Sequence, residues 1–134
     1  MNTSTITQIG EKWVDQLATA WRHADPAAIA RLFTTDAVYH HHPFREPLVG
    51  RDEIAAAWTA QLTAGSFKEI RFGHPVTDGD RAALEWWSIS EESGADVTNT
   101  GTLFLTFSDG LCSVLREVWM DDPAILVPYQ GWGT

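Results

Sequence analysis

A chain of 134 residues, 44% hydrophobic and 20% charged, is long enough to bury one substantial core and too apolar for extended disorder. Eighteen acidic residues against nine basic ones give a formal net charge of −9, a field that repels phosphate backbones and anionic lipid surfaces, so neither nucleic acid nor a membrane is expected as a partner. Cys112 is the single cysteine, which excludes an intrachain disulfide, and Met1–Lys12 is polar; with no stretch near the ~18 apolar residues a membrane span needs, the expected compartment is the cytoplasm.

Helical periodicity opens the chain. Ile9, Trp13, Leu17, Trp21 and Ala24 recur at spacings of three or four and form one apolar stripe. Asp25-Pro26 ends that helix and starts a second, with Asp25 as N-cap and Pro26 in the first turn; it runs through Ile29, Leu32 and Phe33. Residues 37–42 (Ala-Val-Tyr-His-His-His) read as a strand stopped by Pro43. A third helix starts near Arg51, carries Ile54, Ala57, Trp58 and Leu62, and stops at Gly65.

From there strand follows strand: Phe67–Val76, Arg81–Glu91, Val97–Phe107 and Leu111–Met120, with turns at Thr77–Asp80, Glu92–Asp96 and Ser108–Gly110. The tail from Asp121 is rich in Pro and Gly but keeps Ile125, Leu126, Tyr129 and Trp132, so it is expected to pack over an opening or a partner. No repeat or linker divides the chain, and residues 1–134 read as one domain of the α+β class, with helices on one face of a curling antiparallel sheet and a cavity between them.

Particular residues carry a resemblance. Ala20-Trp21, Asp25-Pro26 and the run from Leu32 to Tyr39 (LFTTDAVY) are followed by Pro43-Phe44, the GRDEI of Gly50–Ile54, and Trp58. The chain then closes on Asp109-Gly110, the LREVW of Leu115–Trp119 and Gly131-Trp132-Gly133. In this order and spacing the chain resembles the SnoaL-like branch of the nuclear transport factor 2-like superfamily over nearly its whole length. The resemblance implies a cone-shaped, curved antiparallel sheet wrapped around three N-terminal helices, with a pocket for a small, largely apolar molecule. That superfold hosts ketosteroid isomerases, limonene epoxide hydrolases, polyketide cyclases and proteins that only bind.

The candidate site residues follow from strand and helix faces. Alternation puts Tyr39 and His41 on one face of their strand. Limonene epoxide hydrolases carry a Tyr and an Asn two residues apart on the matching strand; Tyr39 matches the Tyr, and His41 stands where the Asn would be. His41 suits acid–base work because imidazole titrates near neutrality, and Tyr39 suits hydrogen bonding to a developing oxyanion. Glu85 and Trp87 share a face of the next long strand and are expected to point inward, Glu85 as a proton carrier. On the last strand the inward residue is either Met120 or, if a β-bulge intervenes, Asp121 together with Glu117 and Trp119, and Asp121 is then the alternative to Glu85 as second proton carrier. Trp13, Leu17, Trp21 and Trp58, on the helix stripes, complete an aromatic wall for a ring-shaped ligand.

The His40-His41-His42 run is not a metal motif, since only alternate residues share a face and no HExxH or Cys/His spacing accompanies it. The expected function is therefore cofactor-independent, metal-free acid–base catalysis on an apolar carbonyl or cyclic substrate, of the lyase, isomerase, cyclase or hydrolase kind. The alternative is a carrier that binds such a molecule without turning it over. Trp86-Trp87, Leu103-Phe104-Leu105 and Val118-Trp119 make the strands apolar on both faces, so a homodimer through the outer sheet face is expected.

Overall fold

The computed structural model describes the backbone of residues 3–64 and 66–134 and the side chains of residues 9–62 and 67–134. Helix α1 spans Thr3–His23, α2 Pro26–Ala30 and α3 Arg51–Ala64; the strands are β1 Phe33–His40, β2 Leu48–Val49, β3 Ser66–Phe72, β4 Val76–Asp78, β5 Arg81–Glu92, β6 Ala95–Ser108 and β7 Leu111–Asp122. The helix stop expected at Gly65 lies outside the described residues.

Local chemistry explains the boundaries. The Asp25 carboxylate accepts from the amides of Ala27 (3.1 Å) and Ala28 (3.2 Å), while Pro26 fills a first-turn position that needs no donor. Helix α2 ends three residues earlier than the periodicity suggests. Leu32 and Phe33 are buried, but as the entry to β1 rather than as a helix face. The strand expected over 67–76 is divided into β3 and β4, because Gly73 lies against the tail: its amide donates to the Glu85 carbonyl at 2.7 Å, and the neighbouring His74 amide donates to the Gly133 carbonyl at 2.6 Å.

The sheet runs β2-β1-β7-β6-β5-β3, with β4 also paired to β5. All neighbours are antiparallel except β1 and β7, whose parallel pairing makes the curved, unclosed sheet mixed rather than purely antiparallel. The register of β6 on β7 shifts once: Thr106 pairs with Val114, but Phe107 pairs with Cys112, leaving Ser113 as an extra residue. This β-bulge flips the alternation of β7, so that Cys112 before it and Leu115 after it are both fully buried on the inner face.

The core lies between the helices and this inner face. Trp13, Val14, Leu17 and Ala20 of α1 and Ile54, Ala55 and Trp58 of α3 pack on Phe33, Tyr39, Leu84, Leu103, Leu105 and Leu115. Trp13 belongs to the closed end of this core: it meets Phe33 edge-on at 5.8 Å and its indole N–H donates to the Leu32 carbonyl at 2.8 Å. Among the described residues, no helix is long and apolar enough to cross a membrane.

Candidate active site

Beyond the packed core, the curved sheet stands away from α1 and α3 and leaves a cavity of about 240 Å³. Cross-strand register arranges its sheet wall in rows. The innermost row is Leu84, Leu103 and Glu117; the next is Phe72, Trp86, Gly101 and Trp119; the outermost is Ile70, Ser88, Asn99 and Asp121. Leu17 and Trp21 of α1, Trp58 of α3 and Tyr39 of β1 close the other side. Trp21 and Trp58 meet edge-on at 5.2 Å, and Trp58 meets Tyr39 the same way at 5.5 Å, so the aromatic wall is one connected assembly.

Two polar groups sit at the deep end. The Tyr39 hydroxyl donates to Glu117 Oε1 at 2.5 Å, the short distance of a charge-assisted bond. Burial pushes the Glu117 carboxyl up from its ordinary 4.5 to about 7, against the Tyr39 hydroxyl and the nearby Trp86 indole, which favour the ionised form. Burial first, then the Glu117 charge and hydrogen bond, hold the Tyr39 phenol well above its ordinary value. At neutral pH the pair is thus a neutral phenol beside a carboxyl divided between acid and base. Cys112 offers no rival nucleophile: it is fully buried and its thiol is pushed up to about 12 by that burial.

Gly101 makes the second row possible. A Cβ there would overlap the Val118 carbonyl oxygen and come within 2.9 Å of Trp119 Cα and 3.0 Å of Trp86 Nε1. The missing side chain leaves room for the Trp86 indole beside it.

The sequence-derived candidates divide between the two sides of the sheet. Tyr39, Leu17, Trp21 and Trp58 line the cavity, as does Asp121 at its open mouth. Glu117 and Asp121 lie four positions apart on one strand face, or about 13 Å along β7, too far for both carboxyls to serve one proton transfer in so small a space. His41 is misplaced by the sequence reading: β1 stops at His40, one residue before alternation would carry His41 inward. Its ring packs on Tyr39 at 5.9 Å, with Nε2 against the Glu46 carbonyl at 3.2 Å, and lines no part of the cavity. Trp13, tied to the Leu32 carbonyl, belongs to the core instead.

Glu85 and Trp87 point to the opposite face. There the Trp87 indole N–H donates to the Leu126 carbonyl at 2.9 Å, Arg71 stacks over its ring at 4.7 Å, and Glu85 accepts from the Gly133 amide at 3.3 Å. The tail accounts for both, and with it Glu85, Trp87, Met120 and Asp121 line a second, more open pocket on this face. Met120 is on that outer face too, 68% exposed, because the Ser113 bulge turns Glu117, Trp119 and Asp121 inward. Glu117 and Trp86 line the cavity, although the sequence placed Glu117 inward only with a bulge in the last strand and Trp86 on the face opposite Glu85 and Trp87.

Comparison with known proteins agrees with this architecture. The model of the SnoaL-like domain matches residues 14–114, three quarters of the chain. The chain belongs to the SnoaL-like domain family. No curated protein matches the sequence significantly. Among solved structures, this SnoaL-like chain is similar to Bal32a from a soil-derived mobile gene cassette, with 19% identity, TM-score 0.71, and coverage of 85% of this chain and 91% of that one. It is also similar to an LEH-like epoxide hydrolase of M. tuberculosis (16% identity, TM-score 0.69, 81% and 80% covered). A third is SalBIII, an epoxide hydrolase/cyclase-like enzyme in pyran ring formation in the polyether salinomycin (20% identity, TM-score 0.67, 83% and 92% covered). At these identities the shared property is the ketosteroid isomerase-like fold of the SnoaL-like family.

Proposed function

We propose that the protein is a cofactor-independent acid–base enzyme acting on a small, largely apolar cyclic or carbonyl compound, with Glu117 as the proton carrier and Tyr39 as its hydrogen-bonding partner. The observation that carries this reading is the 2.5 Å Tyr39–Glu117 pair, with a carboxyl raised to about 7, at the deep end of an aromatic cavity. A base whose titration lies near the working pH combines a useful ionised fraction with a strong drive to take the proton. Tyr39 engages only Oε1 among the two carboxyl oxygens, which leaves the other for a substrate.

The elementary step is balanced without any further reagent. The carboxylate takes a proton from carbon next to a carbonyl, the C–H electron pair moves into the new C=C bond, and the carbonyl oxygen takes up the displaced π pair. Glu117 then returns the proton to the same or a conjugated carbon. Epoxide opening and ring formation, the reactions named for two structural neighbours, likewise move a proton at an oxygen, so the same pair suits them.

The test is deuterium incorporation from D₂O into β-tetralone, followed by NMR near neutral pD. Wild type should exceed the buffer rate, and Glu117→Gln should lower the catalysed rate by roughly 10²- to 10⁴-fold. A wild-type rate equal to buffer, with the ketone bound, would return the carrier reading. We further propose that the outer sheet face pairs with a second copy of the chain. The tail covers Trp87, but Phe104 (36%), Val118 (46%) and Met120 (68%) are left exposed beside it.

A further inference from the structure

Trp119 stands between the cavity and the solvent. It lines the cavity and is nevertheless 45% exposed, so part of its side chain bounds the space and part is wet. The sheet gives it little lateral support. On β6 its register partner is Gly101, which has no side chain, and the pairing of β1 with β7 ends at His40 and Arg116, three positions earlier. Past that point the loop that follows β1 takes over. Trp21 and Trp58 are held differently, packed on each other and on Phe67, Phe33 and Tyr39.

The loop holds Trp119 by two contacts. Its indole N–H donates to the His41 carbonyl at 3.2 Å, and the His42 ring meets it edge-on at 6.3 Å. His42 is placed in turn by Phe44, whose amide donates to His42 Nδ1 at 3.1 Å and whose ring lies 5.7 Å away. Phe44 is 91% exposed, so this series of contacts ends in solvent. Segments with few buried contacts and exposed hydrogen bonds open at low free-energy cost. An indole that closes a cavity and is tied to such a segment can swing outward while the packed core stays in place. The opening so made differs in chemistry from the mouth. There Glu91, Glu92 and Asp121 hold water that an apolar ring would have to displace. On the Trp119 side an indole, an imidazole and a phenyl ring follow one another outward.

We infer that Trp119 is a side door to the cavity, latched by the His41 carbonyl and the His42 ring, and that an apolar ligand enters and leaves past it. This goes beyond the proposed reaction and rests on it only for the use of the cavity, since a door serves a carrier as well as an enzyme.

Two measurements test the door, the first without ligand. In protein labelled with 5-fluorotryptophan, the Trp119 ¹⁹F signal is assigned through Trp119→Phe. It should show microsecond-to-millisecond exchange with an open state populated at roughly 0.1–10%, while Trp13, tied to the Leu32 carbonyl, shows none. His42→Ala should enlarge that exchange and leave the Trp13 signal in place, which reports an intact fold. A Trp119 signal as static as that of Trp13 would overturn the inference. The second measurement follows association and dissociation of β-tetralone by NMR line shape. A door alters both rates and spares the equilibrium, whereas a wall that only touches the ligand alters dissociation and affinity together. His42→Ala should therefore raise both rate constants by roughly 3- to 10-fold, the loss of one ring contact, and leave Kd within about twofold. Wild-type rates in the variant, or weaker affinity at an unchanged association rate, would also overturn it. An exchanging Trp119 in a protein that binds no β-tetralone would support the door and count against the proposed substrate class.

Discussion

Glu117→Gln offers a direct measure of how strongly the cavity resists charge. Glutamine keeps an acceptor for the Tyr39 hydroxyl but cannot ionise. A rise from 4.5 to about 7 means that ionising this carboxyl costs about 3 kcal/mol more in the folded protein than in the unfolded chain. In the unfolded chain the proton leaves near the ordinary value; in the folded protein it stays until about 7. Between those limits the folded state holds more protons, so stability falls as pH rises, and it levels off above the folded value. From about pH 5 to about pH 8 the loss amounts to about 2.5 kcal/mol. Urea unfolding of wild type and variant at steps across this range isolates it, since every other titrating group is common to both. The variant's stability relative to wild type should climb by that amount toward alkaline pH. A flat difference, or one that climbs toward acid pH, would refute the picture of a buried, charge-averse carboxyl.

Three further outcomes follow from the geometry. Tyr39→Phe removes a hydrogen bond that favours the ionised carboxylate, so the Glu117 titration followed by ¹³C NMR should move above about 7; movement downward would contradict the pairing. Gly101→Ala places a methyl group into the Val118 carbonyl and against Trp86, and should cost roughly 1–3 kcal/mol in urea unfolding, a loss absent if the sheet yields there. Sedimentation at micromolar concentration should give twice the chain mass, and Val118→Asp with Met120→Asp should give a monomer; a wild-type monomer would refute pairing through the outer face.

The helix faces were legible because each carries one stripe. Leu17, Trp21 and Trp58 could point only toward the core side, and they do line the cavity. The strands were less legible where both faces are apolar. On β5, Leu84, Trp86, Ser88 and Ser90 alternate with Glu85, Trp87 and Ile89, and neither set is the polar one. The choice between Trp86 and Trp87 was settled by the tail, whose Leu126 carbonyl meets one indole, a contact 39 residues away that alternation cannot sense. His41 failed for a local reason, since the strand ends one residue before it. The inward face of β7 depended on an extra residue near its start, and the sequence offered that as one of two alternatives.

That extra residue makes the cavity's chemistry a matter of reading frame within a strand. Ser113 lines no part of the cavity, yet it determines which half of β7 enters it. A regular strand that kept Ser113 and lacked the bulge would carry the alternation from Cys112 to Val114, Arg116, Val118 and Met120 and turn Glu117, Trp119 and Asp121 outward. The space would then hold a guanidinium and two aliphatic side chains where it now holds a proton carrier. Aligning such strands one residue out exchanges the interior for the exterior without altering any residue type, so among similar chains the bulge must be located before any carboxylate in this strand is assigned a role.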